Sequence, residues 1–104
     1  MRKAEVLMHG LSTGVLEELE YGKRYRFAYL ENYQGPPISL TMPVDKKGFV
    51  FEEFPPFFDG LLPEGVLLEG LLKQRKIDRH DCFSQIVAVG KDLVGAVTVQ
   101  GKQG

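Results

Sequence analysis

The stretch FPPFFDGLLPEG, residues 54–65, combines aromatic, proline and leucine residues in an order that fits neither the period of a strand nor that of a helix. Pro55 and Pro56 fix their own backbone and favour extended geometry in the residue before each, so the chain should arrive here extended and begin a helix only afterwards. Pro63 suits the first position of that helix, because its missing N–H would be unpaired there. The stretch therefore predicts a rigid junction between a β-rich half and a helical half.

Two helices are predicted after the junction. Glu64 places a carboxylate near the positive end of the first helix dipole. The apolar residues at helical spacing in this first helix are Leu67, Leu68, Leu71 and Leu72. The second helix is predicted to begin at Asp78 as its N-cap, and Gly90 is expected to close it in a left-handed conformation. The apolar face of the second helix consists of Phe83, Ile86 and Val87.

Alternation of apolar and polar residues predicts strands in the first half and a return strand at the end. The clearest strand is residues 24–29, where aromatic side chains on one face alternate with arginines on the other. Further strands are expected at residues 4–8, 11–16, 38–42, 49–51 and 94–99, and residues 101–104 are expected to fray. The predicted fold class is α+β: a small antiparallel β-sheet packed with two helices in a single domain, residues 1–104.

Two details of the second strand concern its surroundings. Gly14 marks either a β-bulge or a close approach by a neighbouring segment, and His9-Gly10 before this strand fits a turn. The acidic residues Glu17, Glu18 and Glu20 are expected at a solvated strand end or turn, since carboxylates are rarely buried.

Length and composition bound the class of protein. The chain has 104 residues, a formal net charge of −1 and 43% hydrophobic residues, which suits one domain with a modest core. The single cysteine, Cys82, cannot form an internal disulfide, and no apolar run approaches the roughly 18 residues of a membrane span. Because the N-terminus also lacks the apolar core of a signal peptide, the sequence predicts a cytoplasmic protein that does not bind membranes.

Direct binding of nucleic acid is disfavoured. The near-neutral net charge gives no electrostatic reason to expect it. Tyrosines interleaved with Arg24 and Arg26 could bind single strands by stacking and charge. A sheet with an aromatic core face and an arginine outer face explains the same pattern and is the preferred interpretation.

Sequence patterns typical of catalysis are lacking. There is no glycine-rich phosphate loop, no nucleophile elbow, no closely spaced pair of cysteine or histidine ligands and no kinase catalytic motif. His9 suits a turn, and His80 and Cys82 suit a helix start. Asp59 and Glu64 form a carboxylate pair in a distinctive motif, but capping is favoured over acid–base chemistry. We therefore predict no enzymatic activity and no catalytic, metal-binding or cofactor-binding residues.

The phenylalanines of the junction can serve the core or a partner. At least one or two of Phe54, Phe57 and Phe58 must build the core, because a small domain needs their buried area. Three phenylalanines beside three prolines and followed by Leu61 and Leu62 nevertheless exceed what one short junction can easily hide. Rigid apolar loops make good interface anchors, because little entropy is lost when they dock. From the residues alone, both roles stay open.

Several motifs together resemble a known family. They are FFDGLLPEG (57–65) with the leucine-rich helix after it, the Asp-Xaa-Phe helix start at 81–83, and VGKDLVGAV (89–97). They are similar to the N-terminal subdomain 1 of HipA-type serine/threonine kinases, the toxins of bacterial toxin–antitoxin systems. LTMP (40–43) resembles the segment that precedes the aromatic motif in that family. The chain ends where the kinase body would begin, so we expect a free-standing subdomain, similar to the HipS-type antitoxins of three-gene systems.

The resemblance implies a function and a set of contacts. In the family, this subdomain packs on the kinase N-lobe and is not catalytic. A separate copy would be an antitoxin that docks on a small HipT-like kinase and inhibits it, while a HipB-like helix-turn-helix protein supplies DNA binding. The alternative is a non-inhibitory structural accessory subunit that completes or stabilises the kinase. The partner-binding residues implied are Phe57, Phe58, Asp59, Leu61, Leu62, Pro63, Glu64 and Val66.

Two positions depart from the family pattern. Relatives often carry asparagine at the position of Gly60. They often carry a tryptophan or another large side chain at the position of Val66, whereas this chain has no tryptophan. If inhibition in relatives depends on that large side chain, this chain must use another contact, such as Leu67 or Phe58, or inhibit in a different way.

Overall fold

A five-stranded antiparallel sheet forms the centre of the molecule. The computed structural model describes residues 2–93 and 95–102. The strands are β1 (Arg2–Met8), β2 (Leu11–Glu20), β3 (Arg24–Tyr29), β4 (Gly48–Phe51) and β5 (Val97–Lys102). Between β4 and β5 lie the helices α1 (Pro56–Asp59), α2 (Gly65–Arg75) and α3 (Cys82–Val89), followed by a 3₁₀ turn (Gly90–Asp92). The strand order is β4-β3-β2-β1-β5, which confirms the predicted α+β class.

The β1–β2 hairpin follows directly from the local sequence. His9 and Gly10 have φ angles of 51° and 80°, and two-residue hairpin turns of the favoured type need positive φ at both positions. Val6 pairs with Gly14 while Leu7 pairs with Ser12, so one extra residue bulges from β2 beside Gly14. A side chain at Gly14 would collide with the carbonyl of Ala28 on β3. The bulge and the close approach are therefore both confirmed.

The inner face of the sheet and the helices enclose one hydrophobic core. Tyr25, Phe27 and Tyr29 all point to this face from β3, as their alternation predicts. From the helices, Phe58 of α1 and Phe83 and Ile86 of α3 complete the core. The largest fully buried side chains include Phe27, Phe58, Leu16, Ile86, Val6 and Val99. No helix in the described part of the chain is long and apolar enough to cross a membrane.

The strand predicted at residues 38–42 is wrong. The segment makes a tight turn in which the Met42 N–H donates to the Ser39 carbonyl at 3.0 Å. The Ser39 hydroxyl also accepts from the Thr41 N–H at 3.2 Å, which stabilises the turn in place of a ladder. Leu40 at its tip is 95% exposed, whereas Ile38 and Met42 are buried. The sequence alternates here because Ile38 and Met42, on either side of the exposed Leu40, anchor the turn to the core.

The start of the helical region also differs from the prediction. Pro55 caps a one-turn helix, α1, that already begins at Pro56. Two prolines suit this position, since the first N–H groups of a helix have no intrahelical partner. The first long helix, α2, has Glu64 as its N-cap and begins at Gly65, which has a φ of 58°. Pro63 therefore precedes α2 and is not its first residue.

The N-cap of α3 is Asp81, three residues later than predicted. Its side chain accepts a hydrogen bond from the Ser84 N–H at 3.1 Å. Asp78 instead organises the preceding turn, in which its carboxylate accepts from the His80 N–H at 2.7 Å. The sequence offered two aspartates at this start, and the one nearer the apolar face forms the cap.

Gly90 ends α3 for a different reason than predicted. Its φ is −54°, which is right-handed, so no left-handed cap forms. Glycine is needed because a Cβ here would collide with the carbonyl of Val99 in β5, 2.7 Å from its carbon. The predicted strand 94–99 is displaced to β5, and Val94 lies outside the described residues. Gly101 and Lys102 belong to β5, while residues 103 and 104 of the expected frayed end lie outside the described residues.

The expected solvation of the acidic run is wrong for Glu18, which is only 4% exposed. The β1–β2 register places Arg2 directly opposite Glu18. The Arg2 guanidinium donates to both Glu18 carboxylate oxygens, at 2.7 and 2.9 Å. Burial of this carboxylate is tolerated because its charge is paired and hydrogen-bonded. Glu20, at the end of β2, is exposed as expected.

Candidate partner-binding surface

The first turn of α2 presents two apolar side chains to solvent. Val66 is 87% exposed and Leu67 is 76% exposed. They follow Gly65, whose left-handed backbone begins the helix, and the extended Glu64. No residue of α2 is fully buried, so the helix offers its N-terminal turn outward and leaves these side chains without a partner in the described structure.

The segment between α1 and α2 extends this apolar region. The Leu61 N–H donates to the Phe58 carbonyl at 3.0 Å, and the Leu62 N–H donates to the Asp59 carbonyl at 3.1 Å. These hydrogen bonds continue the turn of α1 and hold the backbone of Leu61 and Leu62 against its end. Both leucines are half-buried and pack against the core. We call this region the α1–α2 surface, defined by Leu61, Leu62, Pro63, Val66 and Leu67.

The two predicted contact phenylalanines do not belong to the α1–α2 surface. Phe58 is fully buried, and its ring lies 5.8 Å from that of Phe27 and 5.2 Å from that of Phe57. Phe58 is thus the core phenylalanine that the area argument required, and it cannot contact a partner directly. Phe57 is half-buried and lines a groove of about 340 Å³ beside β4, together with residues such as Phe49 and Pro56.

Both predicted carboxylates lie at the borders of the α1–α2 surface. Asp59 is the last residue of α1, and Glu64 is the N-cap of α2. The Glu64 side chain makes no capping hydrogen bond, so its predicted capping role is limited to its charge near the helix start. Both residues are exposed, which leaves their carboxylates accessible to cations of a partner.

The structure separates the elements of the nucleic-acid alternative. Tyr25 and Tyr29 point into the core, whereas Arg24 and Arg26 lie on the opposite face of β3. The Arg26 guanidinium is paired with the Glu17 carboxylate at 3.1 Å. Tyr25 and Tyr29 therefore share no surface with Arg24 and Arg26 for stacking and charge.

Chemistry at the histidines and the cysteine receives no support. Within residues 2–93 and 95–102, no three His, Cys, Asp or Glu side chains come together in a way that could hold a metal ion. Burial raises the pKa of the Cys82 thiol, and the nearby carboxylates of Asp59 and Asp81 raise it further. A raised pKa is the opposite of what activates a thiol as a nucleophile.

For Leu67, the prediction from helix spacing was wrong. The pattern assigned it to the apolar face of the first helix, yet its side chain is exposed. Val66, Leu67 and Leu68 are consecutive, and residues in a helix are about 100° apart, so three in a row span about 200°. An arc of this width exceeds one core-facing stripe, so at least one of the three residues must face solvent. The sequence alone could have shown this.

Comparisons with known proteins agree with this architecture. A family model, the HipA N-terminal domain, matches residues 4–100. The chain is 33% identical over 100 residues to an uncharacterized protein of Haemophilus influenzae, covering 96% of this chain and 92% of that protein. It is 32% identical over 110 residues to a Sinorhizobium fredii protein named "Putative kinase Y4dM", covering 96% of this chain but only 27% of that protein.

A solved structure shows the same fold. It is described as the N-terminal domain of HipA toxin, and it matches with a TM-score of 0.77 at 28% identity, covering 99% of this chain and 94% of that one. The fold is thus that of a HipA-type N-terminal domain. This domain is not the catalytic region of the kinase. The chain belongs to the HipA N-terminal domain family, which gives it a HipA-related toxin–antitoxin context.

Proposed function

We propose that this chain is the antitoxin of a three-component toxin–antitoxin system, which binds a small HipT-like serine/threonine kinase and inhibits it. The observation that carries the proposal is the family match over residues 4–100. The same domain accounts for 27% of a protein named as a kinase and for 92% of a Haemophilus influenzae protein. A domain that occurs both within a longer chain and as most of a short one is suited to dock on a kinase supplied separately.

The α1–α2 surface is the proposed contact. Val66 and Leu67 are exposed, and fully burying an aliphatic side chain of this kind contributes about 1.5–3 kcal/mol. Leu61 and Leu62 are already held by the turn after α1, so docking would cost little conformational entropy. A rigid apolar patch of this kind is typical of an interface anchor.

Inhibition would be steric. Docked beside the kinase's nucleotide-binding region, the segment 57–66 would block closure of the kinase or phosphoryl transfer. Asp59 and Glu64 border the α1–α2 surface and would meet cations of the kinase. The chain itself would perform no catalysis. A HipB-like helix-turn-helix protein in the same cytoplasmic complex would supply DNA binding.

The decisive experiment co-expresses the chain with the HipA-type kinase encoded beside it. Association is measured by affinity pull-down, and inhibition by the growth of cells that carry the kinase alone or the pair. Stable association with restored growth is the expected result. Association without restored growth would refute inhibition and favour the structural accessory subunit. Absence of association would overturn the proposal as a whole.

Matched variants locate the contact. Val66→Glu with Leu67→Glu places two carboxylates on the α1–α2 surface and should abolish both association and growth rescue. Leu11→Glu with Leu40→Glu makes the same chemical change at two other exposed leucines and should leave both unchanged. Equal behaviour of the two double variants would exclude the α1–α2 surface as the kinase contact.

A further inference from the structure

A groove lies where the end of α2, the side of α3 and the paired ends of β1 and β5 meet. Its volume is about 650 Å³. Apolar side chains line part of it, namely those of Ile77, Phe83, Val87 and Ala88. Four cationic side chains also line it, those of Arg2, Lys3, Arg75 and Lys102. None of the described residues that line the groove carries a carboxylate, although the chain as a whole has a net charge of −1.

The four cations differ in how far their charge is already neutralised. Arg2 is committed to internal carboxylates, with N–O distances of 2.7 and 2.9 Å in its ion pairs. The Lys3 ammonium lies 3.9 Å from Glu17. Arg75 is exposed and has no ion pair among the described residues, and Lys102 is exposed in β5. The positive charge available to a ligand therefore comes mainly from Arg75 and Lys102.

The groove continues along α3. A neighbouring depression of about 420 Å³ shares Arg75, Val87 and Gly101 with it, and adds Lys91 and Asp92 from the 3₁₀ turn. Together the two depressions form the basic groove, whose described lining residues carry five cationic side chains, those of Arg2, Lys3, Arg75, Lys91 and Lys102, and one carboxylate, that of Asp92. Two adjoining depressions of this size suit a peptide segment better than a compact small molecule.

We propose that the basic groove binds an acidic peptide segment of a partner protein, one that carries at least one large apolar side chain. The apolar side chain would pack on Ile77 and Val87, and the carboxylates would pair with Arg75 and Lys102. Charge complementarity favours this chemistry, because the excess of cations in the groove repels basic segments. The apolar side chains of the groove add contacts that a purely polar segment would not make.

A nucleic acid fits the groove less well. Single strands bind by stacking bases on exposed aromatic rings. Among the described lining residues, the aromatic ring is that of Phe83, which is only 2% exposed and lies 5.0 Å from the Arg2 guanidinium. Among the described residues that line the groove itself, none therefore offers an exposed ring for stacking.

The basic groove is distinct from the α1–α2 surface. Val66 and Arg75 lie near opposite ends of α2, and nine residues of helix correspond to about 13 Å. The proposal therefore does not depend on the antitoxin function. A partner segment could occupy the groove while the α1–α2 surface is engaged elsewhere.

The test titrates the full chain with three labelled peptides of equal length, followed by fluorescence anisotropy. The first alternates glutamate with leucine and phenylalanine, the second replaces the apolar residues with serine, and the third replaces glutamate with lysine. Only the first should bind, and its affinity should fall as salt is raised. Binding of the serine peptide with equal affinity, or failure of the first peptide to bind at up to about 1 mM, would overturn the proposal.

Charge-reversal variants locate the binding. Arg75→Glu with Lys102→Glu should lower the affinity for the first peptide by about tenfold or more, since two favourable charge contacts become repulsive. Lys46→Glu with Lys47→Glu changes the net charge equally at the opposite edge of the sheet, beside β4, and should have no such effect. Circular dichroism verifies that both variants fold. An equal loss of peptide affinity in both variants would show that the electrostatic attraction is unspecific, and it would refute binding in the groove.

A nucleic-acid probe tests whether the negatively charged ligand of the groove is a nucleic acid and not an acidic peptide. A labelled oligothymidine strand is titrated under the same conditions. The proposal expects it to bind more weakly than the acidic apolar peptide. Tighter binding of the oligonucleotide, lost in the Arg75→Glu, Lys102→Glu variant, would assign the groove to nucleic acid and overturn the peptide proposal.

Discussion

Arg2 and Glu18 form a bidentate ion pair across the β1–β2 ladder, with N–O distances of 2.7 and 2.9 Å. The same guanidinium reaches the Asp81 carboxylate at 2.9 and 3.3 Å and the Ser84 hydroxyl at 2.8 Å. Since Asp81 caps α3, one side chain links the sheet to the helix that covers it. The hydrogen bonds to the two carboxylates hold the pKa of Arg2 above its ordinary value, although partial burial opposes the shift.

Removing this link should destabilise the fold. Arg2→Ala leaves the buried Glu18 carboxylate without its cation, and we expect a loss of about 2–3 kcal/mol in the free energy of unfolding. Urea denaturation measures it. The exposed Arg79–Glu69 pair supplies the control, because Arg79→Ala removes an ion pair that water already screens. Equal effects of the two substitutions would show that burial of Glu18 is not the cause.

Stability should also depend on pH through Asp81. Burial alone would raise the pKa of Asp81, but hydrogen bonds from Arg2 and Ser84 outweigh burial and hold it below its ordinary value of 3.8. Below about pH 4 the unfolded chain therefore binds this proton more readily than the folded chain, so the free energy of unfolding falls as pH is lowered. Urea denaturation across this range should show a shallower fall for Asp81→Asn than for the unaltered chain.

A second substitution controls for removal of a carboxylate in general. Asp45 lies exposed in the loop before β4, so Asp45→Asn should keep the pH dependence of the unaltered chain. An identical pH profile for Asp81→Asn and the unaltered chain would show that the link to Arg2 contributes nothing to acid stability.

The sequence predicted the sheet better than the helical region. The two-residue period of β3 and the turn at His9-Gly10 are local features, and local features determined these elements. The two-residue period was misleading in one segment, however, at residues 38–42. Ile38 and Met42 anchor a turn to the core from both sides, so the apolar alternation there reflects tertiary packing around the exposed Leu40.

The misplaced glycine and proline have a common explanation. Each residue type admits more than one structural role, and distant partners decide between them. Gly90 was expected to supply a left-handed φ, but the carbonyl of Val99, nine residues away, is what excludes a side chain there. Pro63 was expected to start a helix, but Pro56 already starts one, and the chain needs Gly65 to turn before the next.

The sequence predicted an apolar segment after β4, but it could not tell which members of that segment face solvent. The structure places α1 and the turn after it at the motif, and the exposed Val66 follows directly after it. Whether Phe57 or Phe58 faces the core depends on the short helix α1, which sequence periodicity did not reveal. The basic groove could not be predicted, because it needs the pairing of β1 with β5 and the position of the end of α2 beside them to bring Arg2, Arg75 and Lys102 together.

Two glycines should respond oppositely to alanine. Gly90→Ala forces a methyl group against the Val99 carbonyl, and we expect a loss of about 2–3 kcal/mol or more, since the obstacle is backbone. Gly70→Ala lies within α2 with nothing within 4 Å of the added carbon, and it should stabilise by about 0.5–1 kcal/mol. Thermal unfolding followed by circular dichroism compares them. Destabilisation by Gly70→Ala would contradict the open surroundings of this position.

The division between core and docking residues can be tested without a partner. Phe58→Ala removes a fully buried ring and should cost about 3–5 kcal/mol, which leaves little or no folded chain. Val66→Ala trims an exposed side chain and should change the free energy of unfolding by no more than about 0.5 kcal/mol. Phe58→Leu keeps most of the buried volume, and it should retain a measurable two-state urea transition when Phe58→Ala does not. A large loss for Val66→Ala would mean that Val66 supports the fold, and the exposed part of the α1–α2 surface would then be reduced to Leu67.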